Sequence, residues 1–222
     1  MTEQRKSEAG ISRRRFLAGS AGLVAAAGAA AAARAGGTAM QPAFDLDRFV
    51  HDVERAGADG QPAVDEVLRH AVRDPAPLIA VLGEPSRAGL RVLHRAADLT
   101  ILDVVWAPRM ILLPHDHNMW ATIGIYTGRE DNILWEREGS SIEAKRAASL
   151  SEREVFALAA DAIHSVVNPV ARHTGAIHIY GGDFFAPGRL EWDPETLAER
   201  PFDQDALKRA FRSADERAGF AR

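Results

Sequence analysis

The stretch LLPHDHNMW, residues 112–120, holds two of the eight histidines of the chain, one residue apart in an otherwise apolar run. Residues i and i+2 of a β-strand share a face, so His115 and His117 are expected to point the same way and Asp116 the opposite way. A neutral imidazole is the commonest protein ligand for transition metals. The stretch therefore predicts a strand with two metal ligands, although such a pair also arises by chance and needs a third ligand beside it.

Two later segments supply candidate partners for this pair. DAIHSVVNP, residues 161–169, places His164 in another apolar strand, where it is either a third ligand or a hydrogen-bonded core histidine. AIHIYGGDFF, residues 176–185, places His178 and Tyr180 on one face of a further strand, and the alternative is a buried pair bonded to the backbone. Three imidazoles would leave coordination positions free for substrate and dioxygen.

The remaining four histidines are expected to have no part in this site. His173 lies in the polar turn ARHTG and is expected to be solvated. His51, His70 and His94 lie in or near a helical region and are expected at the surface.

The strands belong to a longer β-rich region. Seven segments after residue 90 are rich in β-branched and aromatic residues and are separated by turn residues, which is typical of an antiparallel sandwich or barrel. These segments are residues 99–106, 110–114, 120–128, 132–138, 152–158, 162–167 and 176–180.

Helices are predicted on either side of this region. Val64, Val67, Leu68 and Ala71 recur at helical spacing, and residues 44–89 are expected to form two or three helices. After Trp192 the chain becomes polar, and the tail, residues 193–222, is expected to contain a short helix at 205–212.

The first residues resemble a targeting signal rather than part of the folded domain. SRRRFLAGSAGL, from residue 12, resembles a twin-arginine signal, followed by a weakly apolar Ala/Gly region and an A-x-A cleavage site at 33–35. We expect a signal peptide at residues 1–35, a linker at 36–43, and export to the periplasm or beyond by the twin-arginine machinery, with no stable membrane insertion after cleavage. An Ala-rich start with a misassigned initiator is the alternative.

Composition excludes several classes of protein. The chain has no cysteine, which rules out disulfides, a thiolate nucleophile and a cysteine-type zinc site. Residues 1–35 hold six basic and two acidic residues, so the remainder has 21 basic and 29 acidic residues and a formal charge of about −8. Such a charge argues against nucleic acid or an anionic membrane as a partner.

Taken together, HDH, Gly128, HSVVNP and HIYGG resemble the cupin superfamily, in particular the cysteine dioxygenase-like thiol dioxygenases. The run MWATIGIYTGREDN is similar to a bacterial branch described as predicted metal-dependent double-stranded β-helix proteins. The resemblance covers about residues 90–192. It implies an all-β core, a cupin double-stranded β-helix or jelly roll, preceded by a small N-terminal helical segment.

The resemblance also implies a metal centre. The family's three iron ligands fall on His115, His117 and His164, with Fe²⁺ as the expected cofactor and another divalent transition metal as the alternative. The glutamate that many cupins place four or five residues after HxH is absent from this family, and Ala121 and Thr122 stand there. The next acid, Glu130, is expected at the surface or on a partner strand.

Further site residues follow from the same resemblance. The family's Ser-His-Tyr array falls on Ala176, His178 and Tyr180, so the serine is missing, and Tyr180 is expected to donate a hydrogen bond to bound oxygen or substrate. The family's arginine that binds the substrate carboxylate aligns with Arg91, and Arg95 is the alternative.

The expected activity is oxidation of a small thiol by O₂ to its sulfinic acid. Two alternatives stay open, because a fold does not determine a reaction. One is a different metal-dependent cupin enzyme, such as an isomerase, a decarboxylase or another dioxygenase. The other is a non-catalytic periplasmic cupin that binds a metal or ligand.

Overall fold

The computed structural model describes residues 43–219. The expected signal peptide and all but the last residue of the expected linker lie outside the described residues, so both stay predictions. Within the described part, no helix combines the length and the hydropathy needed to cross a membrane.

Three helices come first, as predicted. Helix α1 spans Leu46–Gly57. Its N-cap is Asp45, whose carboxylate accepts a hydrogen bond from a backbone N–H of the first turn. Helix α2 spans Gln61–Val72, and α3 spans Pro75–Leu82 with Asp74 as its N-cap. Pro75 fits the first position of α3, directly after the Asp74 cap, because no backbone N–H is needed there.

Strands make up most of the remaining described chain, and a final helix, α4, spans Gln204–Arg217. The strands are β1 Gly89–Arg95, β2 Thr100–Trp106, β3 Ile111–Asp116, β4 Ala121–Thr127, β5 Arg129–Glu138, β6 Ser141–Ser151, β7 Val155–Leu158, β8 Ile163–Val167, β9 Thr174–Tyr180, β10 Leu190–Trp192 and β11 Glu199–Pro201. Each of the seven predicted segments overlaps a strand, and four strands (β1, β6, β10 and β11) lie outside the predicted segments.

These strands form two antiparallel sheets. The five-stranded sheet has the order β1-β2-β9-β4-β7, and the six-stranded sheet has the order β11-β10-β3-β8-β5-β6. Between β2 and β10 every connection except that from β5 to β6 crosses from one sheet to the other, which winds the chain into a double-stranded β-helix. The predicted fold class is therefore confirmed, including the small helical segment ahead of the barrel.

Two hydrophobic cores lie on opposite faces of the five-stranded sheet. Ile177 and Ile179 on β9 pack with Leu68 of α2 in the core between sheet and helices. Ala176 and Tyr180, on the opposite face of β9, belong to the core between the two sheets. Because alternate side chains of β9 point to opposite faces, this strand contributes to both cores. We call the core against the helices the helix-facing core, and the core between the two sheets, which contains a cavity, the cavity-facing core.

Candidate metal centre

The three predicted histidine ligands lie together in the cavity-facing core. His115 is the penultimate residue of β3, His117 follows that strand directly, and His164 lies opposite His115 on the paired strand β8. All three are buried, and their candidate ligand atoms lie within 4.8 Å of one another. His117 Nε2 and His164 Nε2 are 2.8 Å apart. Converging ring nitrogens of this kind can hold a divalent transition metal.

The environment keeps these rings neutral. Burial lowers the pKa of His115 to about 3, with a further contribution from the positive charge of Arg189. Burial, and then Arg189, also holds the pKa of His117 well below its usual value, and burial does the same for His164. A neutral imidazole keeps a lone pair, which is the form that binds metal.

Hydrogen bonds also favour the metal-binding tautomer of two of the rings. His115 Nδ1 lies 2.9 Å from the carbonyl oxygen of Leu113, which can only accept, so Nδ1 carries the proton and Nε2 keeps its lone pair. His164 Nδ1 lies 2.6 Å from Asn132 Oδ1. The residues therefore fit a metal ion, since outer hydrogen bonds of this kind orient histidine ligands.

The triad opens onto a cavity between the two sheets and α4. His178, Tyr180 and Arg189 also line it. The rest of the wall is apolar and includes Trp106, Leu112, Phe184, Phe202, Leu207 and Phe211. A small substrate would meet these polar groups in surroundings that hold little water.

His178 and Tyr180 lie beside the triad, on the cavity face of β9. Tyr180 Oη is 3.1 Å from His178 Nδ1, and the Tyr180 ring centroid is 4.9 Å from that of His117. Burial raises the pKa of Tyr180, so its phenol stays protonated at neutral pH. Ala176 provides no hydroxyl, and the other ring nitrogen of His178 instead faces Glu130, at 3.3 Å.

Glu130 is fully buried, so the expectation of a surface position was wrong. It lies on β5, the strand paired with β8, which agrees with the alternative of a partner strand. Glu130, Asn132 and Leu134 occupy alternate positions of β5 and are all buried. The same period of two, counted back from Leu134, could have identified Glu130 and Asn132 as inward-facing from the sequence.

Arg91 does not line the cavity, contrary to the prediction. Its guanidinium bonds to Asp103 at 2.8 Å and to the carbonyl oxygen of Leu82, in α3, at 2.9 Å. The neighbouring Leu90 lines the cavity instead, because successive strand residues point to opposite faces. Arg95, the alternative, is half-exposed and forms a bidentate salt bridge with Asp183.

The arginine that does line the cavity is Arg189, which the sequence reasoning missed. It precedes β10, is 4% exposed, and donates to the carbonyl oxygens of Asp116 at 2.9 Å and Phe184 at 3.2 Å. Its Nη2 is buried without a hydrogen-bond partner. Burial lowers its pKa to about 10, so it is still charged at neutral pH. No local pattern separates it from the chain's other arginines.

The other histidines lie away from the triad. His51 and His70 are exposed, and His94 is partly buried. The prediction that His173 is solvated was wrong, because it is buried and its Nε2 lies 3.1 Å from Asp215 of α4.

No protein-family model matches the chain, and several solved structures show distant similarity to it. The DMSP lyase DddQ from Ruegeria pomeroyi is 16% identical over 49% of this chain and 53% of its own, with a TM-score of 0.39. The match thus spans about half of that lyase. BH2720 from Bacillus halodurans is 15% identical over 56% and 85% of the two chains, with a TM-score of 0.41. A cupin 2 conserved barrel domain protein from Salinispora arenicola is 19% identical over 41% and 72%, with a TM-score of 0.34. Similarities this weak leave the reaction undetermined.

Proposed function

We propose that this protein is a ferrous-iron thiol dioxygenase, which adds both atoms of O₂ to the sulfur of a small thiol to give a sulfinic acid. The observation that carries the proposal is the buried cluster of three neutral histidines at a small, mostly apolar cavity. The sequence resemblance to thiol dioxygenases, which includes the histidines and the His178–Tyr180 pair, supports the same reaction.

The donor set suits this chemistry. His115, His117 and His164 would hold the iron, and because three neutral imidazoles leave its 2+ charge uncompensated, the centre would supply a Lewis acid suited to a thiolate and the redox chemistry that activates dioxygen. The chain's own residues would then exclude water and orient the substrate. Tyr180 lies next to the triad, is held in place by His178, and is the group proposed to form a hydrogen bond with the substrate.

Arg189 indicates what kind of thiol the cavity would take. The guanidinium stacks on the rings of Phe184 and Phe202, but its buried Nη2 has no hydrogen-bond partner in the described structure, and a buried donor without an acceptor is costly. A substrate carboxylate would supply the missing acceptor, and guanidinium groups pair well with carboxylates. We therefore propose a small thiol that bears a carboxylate, with Arg189 rather than Arg91 as its anchor.

Oxygen consumption tests the proposal directly. The protein, loaded anaerobically with ferrous iron, is mixed with cysteine, 3-mercaptopropionate or cysteamine, and oxygen uptake is recorded. We expect uptake that requires both iron and a carboxylated thiol, and that is lost in His164→Ala. Arg189→Met should lower kcat/KM for the carboxylated thiol by about 10- to 100-fold, the value of a hydrogen bond to a charged group, and should affect cysteamine less. Iron bound at the triad without uptake on any thiol would contradict the proposal.

A further inference from the structure

We propose that Glu130 is a positioning residue that determines which ring nitrogen carries the proton in both His178 and His164. The contacts themselves do not depend on the reaction, and only their consequence for metal and substrate rests on the proposed function. The carboxylate lies between the two histidines and is connected to one directly and to the other through Asn132.

The partners of Glu130 identify it as an acceptor. Trp106 Nε1, which can only donate, lies 2.7 Å from Oε2, and Asn132 Nδ2 lies 3.0 Å from Oε1. His178 Nε2 lies 3.3 Å from Oε2. In its ionised form the carboxylate has no proton to give, so each of these three groups can bond to the fully buried Glu130 only as a donor.

The first branch of the network controls Tyr180. With its proton on Nε2, His178 keeps a lone pair on Nδ1, which accepts a hydrogen bond from the Tyr180 hydroxyl at 3.1 Å. The Tyr180 oxygen then keeps its lone pairs for a group in the cavity. This direction is opposite to the donor role expected from the sequence. A buried carboxylate fixes the tautomer of a catalytic histidine in serine proteases in the same way.

The second branch controls a metal ligand. Because Asn132 Nδ2 donates to Glu130, its Oδ1 faces His164 Nδ1 at 2.6 Å and can only accept. His164 therefore carries its proton on Nδ1 and leaves the Nε2 lone pair free, 2.8 Å from His117 Nε2. The Glu130 carboxylate thus determines the tautomer of the metal ligand His164 and the tautomer of His178, which bonds Tyr180.

Nitrogen NMR of the histidines tests the proposal in the full chain without metal, thiol or oxygen. Shifts of ¹⁵N ring nuclei distinguish protonated from unprotonated nitrogens. The proposal requires protons on Nε2 of His178 and on Nδ1 of His164. A proton on the other nitrogen of either ring overturns it, whether or not the protein proves to be a dioxygenase.

Glu130→Gln tests the cause, because glutamine has the same shape but accepts on one side only. If its oxygen faces Trp106 and His178, its NH₂ group forces the Asn132 amide to turn over, and the proton of His164 moves to Nε2. If its oxygen faces Asn132, the NH₂ group moves the proton of His178 from Nε2 to Nδ1 and leaves the Trp106 N–H without an acceptor, so this arrangement is the less favourable one.

The expected result for Glu130→Gln is therefore a reversed tautomer in one of the two rings. Reversal at His164 should also weaken Zn²⁺ binding by about 10- to 100-fold, the usual effect of losing an outer partner of a metal ligand. Glu130→Asp, which keeps a carboxylate, should restore the wild-type pattern at least in part. Asp215→Asn is the matched control, since it removes another buried histidine-paired carboxylate and should reverse neither ring. Unchanged tautomers in folded Glu130→Gln overturn the proposal.

Discussion

The two faces of strand β9 show how one sheet serves two purposes. Ile177 and Ile179 face the helices, in a core of closely packed apolar side chains. His178 and Tyr180 face the cavity, where they are joined by a hydrogen bond to each other and, through His178, to a buried carboxylate. The helix-facing core gains stability from apolar burial, whereas the cavity-facing core places polar groups where each must find a partner.

This difference separates stability from chemistry. Substitutions in the helix-facing core should change the free energy of unfolding and leave the metal site intact. Changes of charge in the cavity-facing core should act on metal binding and substrate. The predictions below test that separation.

The largest effect is expected for Leu68→Ala in the helix-facing core. Leu68 is fully buried and packs so closely on β4 that a Cβ atom on Gly124 would lie 2.7 Å from its Cγ. Removing its side chain should lower the free energy of unfolding by about 2–5 kcal/mol. Urea denaturation of the metal-free protein measures this. Zn²⁺ affinity of the folded variant should equal that of wild type, and a parallel loss of affinity would show that the two cores are coupled.

The next effect is acid destabilisation of the metal-free protein through the cavity-facing core. His115, His117 and His164 have folded-state pKa values far below 6.5, so below that pH the unfolded chain binds more protons than the folded one. Stability is therefore unaffected above about pH 7 and falls as the pH drops below 6.5. Each ring contributes up to about 1.4 kcal/mol per pH unit, or about 4 kcal/mol for three.

Urea midpoints between pH 7 and pH 5.5 measure this slope. Leu68→Ala should shift every midpoint but keep the slope. His70→Gln, which removes an exposed histidine, should change neither. A flat profile would mean that the three rings are not buried as neutral groups.

Alternation and spacing account for what could be predicted. The HDH and HIY patterns identified the His115–His117 and His178–Tyr180 pairs, because the strand period places i and i+2 on one face. His164 was identified from another apolar strand and from the family resemblance. Strands β1, β6, β10 and β11 were missed. Of these, β6 forms a sheet edge and carries an exposed, charged sequence that lacks the apolar signal of a strand. A resemblance placed Arg91 in the cavity, but alternation on β1 turns it toward α3. Arg189 comes into the cavity from a loop, and nothing local to the sequence encodes that approach.

The smallest effect is expected for Arg91→Met, and it sharpens the comparison between the two faces. Arg91 contacts α3 and Asp103 on the helix side of the sheet, while its neighbour Leu90 lines the cavity. Asp103 retains the hydroxyl of Tyr126 at 2.8 Å, so the local structure keeps one of its bonds. KM for a carboxylated thiol should therefore change less than about twofold, which is under about 0.4 kcal/mol.

Arg189→Met is the matched variant, because it removes the same charge from the cavity side. If steady-state oxygen uptake shows that Arg91→Met raises KM as strongly as Arg189→Met, substrate reaches the helix side of the sheet and the separation of the two faces fails. A large effect of Arg189→Met alone instead means that substrate recognition is confined to the cavity. The side of the sheet that an arginine reaches, rather than its alignment with a family pattern, then determines its role.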